Sequence, residues 1–251
     1  MPYERRFFFI SFLLVAISYI WGLSEVQIPK IGDEVLYLQI ARVTDESGSL
    51  LPLRYEEGVW STKPPLLYWL GILSSKVLGP SLWAYRLPVL LITFLGAWLV
   101  YLLGILYLEK KSDALWASLA YLGFISTFQH GRPFLVNSFE VLFLVFPLYL
   151  FFRKPQLTLT NCLLTALSWG AVAWSKSFAL IVVGAFSLLT ATHFLLKTSF
   201  LKRSFYFAAA SVLALGVFAT WFLLDPDPQL LFQQFVVGEN VAKFKGYADY
   251  F

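Results

Sequence analysis

The chain has 251 residues, of which 59% are hydrophobic, 19% aromatic and only 14% charged, with a mean hydropathy of +0.70. A water-soluble domain is about half apolar and a quarter charged, so this composition excludes an ordinary soluble fold and fits a polytopic membrane protein with Trp and Tyr at its interfaces. The net charge of +4 is scattered between apolar runs, which excludes a nucleic-acid surface, and a single cysteine with two histidines excludes a disulfide framework and a Cys/His zinc site.

Spans need roughly 20 apolar residues. Arg5 and Arg6 precede the first, residues 7–23, which has no cleavage pattern behind it and reads as an uncleaved anchor. A polar stretch follows, residues 31–65, too long to be a connector, and loops of that length are usually functional. Asp33 can open a short amphipathic helix on the membrane surface. Pro64-Pro65 starts a second helix, residues 66–78, which Gly79-Pro80 ends. Further apolar segments cover residues 82–108, 114–128, 134–152, 157–174, 178–196 and 205–224. Asp225-Pro226-Asp227-Pro228 then leaves the membrane.

The expected fold is therefore all-α and polytopic, with about seven transmembrane helices plus juxtamembrane amphipathic helices in a first outer loop, residues 24–80. Residues 1–224 form the membrane domain and 225–251 an outer-face segment, read as a truncated one. Lys110, Lys111, Arg153, Lys154, Lys197, Lys202 and Arg203 fall on the same side as Arg5 and Arg6. The positive-inside rule then places the N-terminus in the cytoplasm.

With that topology, Asp33, Glu34, Lys63, His130, Arg132, Asn137, Lys176, Glu239 and Asn240 all fall on the outer side. Acids, bases and amides gathered on one face point to a single site there. Each has a plainer reading too. Asp33 and Glu34 suit a helix start, and Lys63 suits an interfacial lysine. Asn137 and Glu140 lie about one turn apart inside a span, where polar groups cost free energy and are functional candidates. Cys162 and His193 read as packing.

Three runs carry a resemblance. Gly32-Asp33-Glu34 with Tyr37, then Ser61-Thr62-Lys63-Pro64-Pro65-Leu66-Leu67-Tyr68-Trp69, then residues 79–88 (GPSLWAYRLP), resemble the start of the polyprenyl-phosphate-sugar-dependent GT-C glycosyltransferases. That group includes the lipid A aminoarabinose transferase and the protein O-mannosyltransferases. Gly131-Arg132, Ala173-Trp174-Ser175-Lys176 and residues 235–244 (FVVGENVAKF) resemble later landmarks. The resemblance implies an inverting hexosyl- or pentosyltransferase of the bacterial inner (plasma) membrane. It would move a sugar from a polyprenyl phosphate donor to a lipid or protein acceptor at the outer face.

The same resemblance makes Asp33 the essential carboxylate, with Glu34 beside it, and sets Lys63 and Arg132 near the lipid phosphate. Tyr37, Asn137, Lys176, Glu239 and Asn240 complete the substrate-binding set. Asn137 stands where the family often has Asp, and Thr62 where it often has Glu. A divalent cation is thereby left open, with no ligand set. Two alternatives stay beside this reading: a non-catalytic polyprenyl-phosphate-binding subunit or incomplete enzyme, and a small-solute transporter lined by the same polar residues.

Overall fold

The computed structural model describes residues 2–26, 33–56 and 58–242, with side chains from residue 6 onward. The Arg5 side chain, Gly32, Glu57 and the Lys243-Phe244 end of the last motif lie outside the described residues. The elements in order are α1 (Pro2–Ile20), α2 (Asp33–Glu46), β1 (Arg54–Tyr55), β2 (Gly58–Val59), α3 (Leu66–Leu78), α4 (Leu82–Tyr107), α5 (Lys111–Gly123) and α6 (Ile125–His130). They continue with α7 (Asn137–Arg153), α8 (Leu159–Ser175), α9 (Ala179–Leu195), α10 (Phe200–Leu224), α11 (Pro228–Leu231) and a π-helical segment, Phe232–Val241.

Helices stand at all seven apolar segments. Two of them, α4 and α10, are long and apolar enough to cross a membrane on length and composition. The other five, α1, α5, α7, α8 and α9, have 13 to 19 residues, at or below the usual spanning length of about 20. The third expected span is interrupted: α5 stops at Gly123 and α6 begins at Ile125. Many apolar side chains on these helices are unburied, Phe186 and Phe194 on α9 and Leu223 on α10 among them. A water-soluble surface rarely carries such area.

Local sequence accounts for the polar stretch after α1. Asp33 and Glu34 occupy the first turn of α2, where negative charge complements the helix dipole. Tyr37, Ile40, Ala41 and Thr44 recur at helical spacing and are buried as one stripe. Pro65 leads into α3, and Gly79 ends it at φ +88°, a conformation that L side chains rarely adopt. The short hairpin of β1 and β2 pairs Arg54 with Val59 and was not legible in the sequence. Thr158, Ser199 and Asp227 cap α8, α10 and α11 by accepting from backbone amides three residues on.

The apolar core falls into three patches. The first joins the ends of α1, α4 and α5 around Tyr19. The second packs α2 and α3 on α4 and on Phe134 and Phe139. The third joins α7, α8, α9 and α10 to the π-helical segment through Trp169, Trp221 and Phe235. In the second patch Gly71 permits a close approach, since a Cβ there would lie 2.5 Å from Phe134 Cζ. Gly71→Ala is therefore expected to destabilise the protein by about 1–3 kcal/mol through overpacking. The cost should shrink in a Phe134→Leu background, as thermal melts of the four detergent-solubilised variants would read. An equal cost in both backgrounds would mean the ring is not what Ala meets.

Candidate active site

The polar stretch that opens with α2 is held by a buried ion pair. Glu34 and Arg86 are both about 2% exposed, and their forked groups meet through Arg86 Nε–Glu34 Oε1 at 2.6 Å and Arg86 Nη2–Glu34 Oε2 at 2.8 Å. Arg86 Nη1 also donates to the carbonyls of Leu23 and Glu25, beyond the end of α1. Glu34 Oε1 accepts the backbone N–H of Phe134 at 2.8 Å. One pair thus ties α1, α2, α4 and the entry to α7. The remaining donors and lone pairs find partners, which is the condition under which a desolvated pair is tolerated.

Glu34 is consequently committed to structure. Both oxygens are occupied, and the carboxylate is sealed from any substrate. Asp33 and Glu34, expected to act side by side, are parted by the structure: one residue along a helix turns the side chain by about 100°, so Asp33 is exposed while Glu34 is buried.

The exposed side of that frame carries the other candidates. Lys63 Nζ donates to Glu239 Oε1, joining the Lys-Pro-Pro run to the π-helical segment. Ser61 N donates to Gln234 Oε1 at 3.1 Å across the same seam. Lys176 Nζ donates to Glu140 Oε1 at 2.7 Å, joining the end of α8 to the first turn of α7. The next residue, Ser177, donates to Asn240 Oδ1 at 2.7 Å, and Asn240 Nδ2 caps the Phe235 carbonyl. The Trp69 and Trp174 rings meet edge to face, 5.2 Å apart, which locks α3 to α8 beneath these contacts.

Tyr37 and Tyr68 lie at the centre. Their rings are 5.7 Å apart in an edge-to-face contact, and both are almost fully buried. Burial pushes the Tyr37 phenol well above its usual range, and the negative charges of Asp33, Glu239 and Glu140 push it further. Tyr68 is raised by burial and then by Tyr37, Asp33 and Glu239. The negative charges of Asp33 and Glu239 thus bear on both phenols, and that of Glu140 on Tyr37. The Tyr68 hydroxyl has no hydrogen-bond partner among the described residues.

Six of the nine predicted site residues gather here: Asp33, Tyr37, Lys63, Lys176, Glu239 and Asn240. Asn137 is half-buried in a small adjoining cavity of about 230 Å³, with His130 and Glu140. Arg132 is placed elsewhere. It is 7% exposed, donates to the carbonyls of Tyr19 and Trp21, and lies 4.6 Å from the Phe128 ring centre. A desolvated guanidinium with these partners ties α1 to the turn before α7. No cluster of three carboxylates, histidines or cysteines among the described residues could hold a metal ion.

Sequence reasoning missed Arg86, although the run that contains it was singled out. The signal was an arginine inside an apolar helix, which needs a partner when buried. It also missed Gln234 and Ser177, which are ordinary polar residues until the fold sets them against Ser61 and Asn240.

Comparison with known proteins gives the family. Residues 62–223 match the family described as dolichyl-phosphate-mannose-protein mannosyltransferase. That is nearly two thirds of the sequence, and the chain belongs to this family of GT-C membrane glycosyltransferases. Among its relatives is the undecaprenyl phosphate-alpha-4-amino-4-deoxy-L-arabinose arabinosyl transferase 2 of Proteus mirabilis (strain HI4320), 24% identical over 228 residues. That match takes in 85% of this chain and 39% of the relative. Transferase 1 of the same organism is 28% identical over 153 residues, 59% of this chain and 27% of that one. The chain thus spans well under half the length of these curated relatives. The crystal structure of ArnT from Cupriavidus metallidurans in the apo state has the same fold over 89% of this chain and 43% of its own, with a TM-score of 0.60 and 19% identity.

The frame makes a direct prediction. Arg86→Met leaves the Glu34 carboxylate buried without its partner and should cost about 3–5 kcal/mol. Adding Glu34→Leu should recover a large part of that loss. Denaturation of the single and double variants in detergent checks this, and a double variant no more stable than Arg86→Met would contradict the assignment.

Proposed function

We propose that this chain carries the catalytic residues of a glycosyltransferase. The reaction moves a sugar from a polyprenyl phosphate donor to a hydroxyl of a lipid or protein acceptor at the extracytoplasmic face. Seven spans with a cytoplasmic N-terminus put every gathered residue on that face. The observation that carries the reading is the pair of lysines held by glutamates, Lys63 on Glu239 and Lys176 on Glu140, with Asp33 exposed in the first turn of the helix that carries Tyr37.

In this reading the acceptor oxygen attacks the anomeric carbon from the face opposite the phosphate. The new C–O bond forms as the bond between that carbon and the phosphate oxygen breaks, which inverts the configuration. The electron pair leaves with the polyprenyl phosphate, and the acceptor proton passes to Asp33, whose exposed carboxylate is the one free of the buried frame. Charge that develops on the phosphate is met by Lys63 and Lys176. An ammonium has three donors, so each can keep its glutamate and still reach the phosphate. Preorganised charge of this kind usually lowers the barrier to group transfer more than any other single effect. Tyr37 and Tyr68 stay protonated, as neutral groups packed behind the lysines.

Two outcomes are expected from the full protein reconstituted in lipid with a labelled donor. Asp33→Asn should lower the transfer rate by about 10²–10⁴-fold, the usual worth of a positioned general base, with an unchanged melting temperature. Transfer near the parent rate in this variant would defeat the assignment. Lys63→Met and Lys176→Met should each lower kcat/KM for the donor by about 10–100-fold, the loss of a charge-assisted hydrogen bond of about 1.5–3 kcal/mol.

A further inference from the structure

A groove of about 600 Å³ lies between α4, α7 and α8, away from the candidate active site. Its volume is that of a small-molecule cleft. Leu95, Trp98 and Leu102 of α4, Phe146 and Tyr149 of α7 and Leu167 of α8 form its walls. The Ser168 hydroxyl in its lining is already spent on the Phe143 carbonyl at 2.7 Å. The groove therefore offers hydrocarbon contact along its length.

Arg153, in the last turn of α7, is the charged residue of that lining. It is exposed and takes part in no salt bridge among the described residues. The ring of the residue before it, Phe152, meets Tyr107 at 5.0 Å, which sets the end of α4 against the end of α7. Lys110 and Lys111 follow α4, and Lys154 follows Arg153. With Glu109 and Asp113 also there, this end of the groove remains net positive. Arg153 is about 24 Å from Asn137 and about 20 Å from Glu140 along the 17 residues of α7.

We propose that this groove binds an anionic glycerophospholipid, with an acyl chain along Trp98 and Phe146 and its phosphate at Arg153. The inference rests on the membrane reading given above. Basic residues at the mouth of an apolar cleft between spans, on the cytoplasmic side, are the recognition chemistry for such headgroups. The polyprenyl phosphate donor is a different occupant, because its phosphate belongs at the far end of α7.

Tryptophan quenching by chain-brominated lipids tests this in the reconstituted protein. The difference between the parent and Trp98→Phe isolates the Trp98 signal. Half-quenching of Trp98 should need about fivefold less brominated phosphatidylglycerol than brominated phosphatidylcholine. Arg153→Gln should abolish that preference and leave the phosphatidylcholine curve in place. Equal curves in the parent, or a preference that survives Arg153→Gln, would overturn the site. So would displacement of brominated phosphatidylglycerol by equimolar polyprenyl phosphate, which would assign the groove to the carrier. Quenching of other tryptophans with Trp98 silent would mean that protein covers the groove. Silence of every tryptophan would overturn the membrane reading along with the proposal.

Discussion

The buried pair of Glu34 and Arg86 is the interaction on which the candidate site depends. A carboxylate and a guanidinium removed from water are costly alone. Each is satisfied here only because four separate pieces of chain supply the remaining partners: the end of α1, the first turn of α2, α4 and the backbone of Phe134. Shifting any one of them strands a charge. The pair therefore fixes the start of α2, and with it the direction of Asp33, which projects one residue earlier from the same turn.

Around that fixed point the candidate site is assembled from elements distant in sequence. Lys63 and Glu239 are 176 residues apart, and Lys176 and Glu140 are 36 apart. The Trp69–Trp174 contact and the Ser177–Asn240 bond close the ring between α3, α8 and the π-helical segment. Each lysine has its own glutamate, so the site holds its cations without leaving bare charge in a partly desolvated place. Donor, acceptor base and phosphate cations can then be presented by a rigid frame rather than by one mobile loop, as preorganised transfer chemistry requires.

Much of this was legible in the sequence. The apolar segments, the proline start and glycine stop of α3, and the acid-led amphipathic α2 each follow from local chemistry that one window of residues contains. Asp33, Lys63, Lys176 and Glu239 were singled out by counting spans, and the structure pairs Lys63 with Glu239 and Lys176 with Glu140. The division of labour within Asp33-Glu34 was not legible, since it depends on which side of α2 meets Arg86, and no local signal encodes that partner. Arg132, expected near the lipid phosphate from its place beside a glycine turn, donates to the carbonyls left at the end of α1, a partner that no local signal encodes. The β1–β2 hairpin was hidden because each strand is only two residues long.

The central claim is that Lys63 and Lys176 serve one phosphate. They hold separate glutamates, so strong coupling between them arises from a shared ligand. Donor affinity of the reconstituted parent, Lys63→Met, Lys176→Met and the double variant forms a thermodynamic cycle that reads this coupling. The account predicts an interaction energy of about 0.5–3 kcal/mol. Effects that add to within about 0.3–0.5 kcal/mol would place the two lysines at independent sites and contradict it.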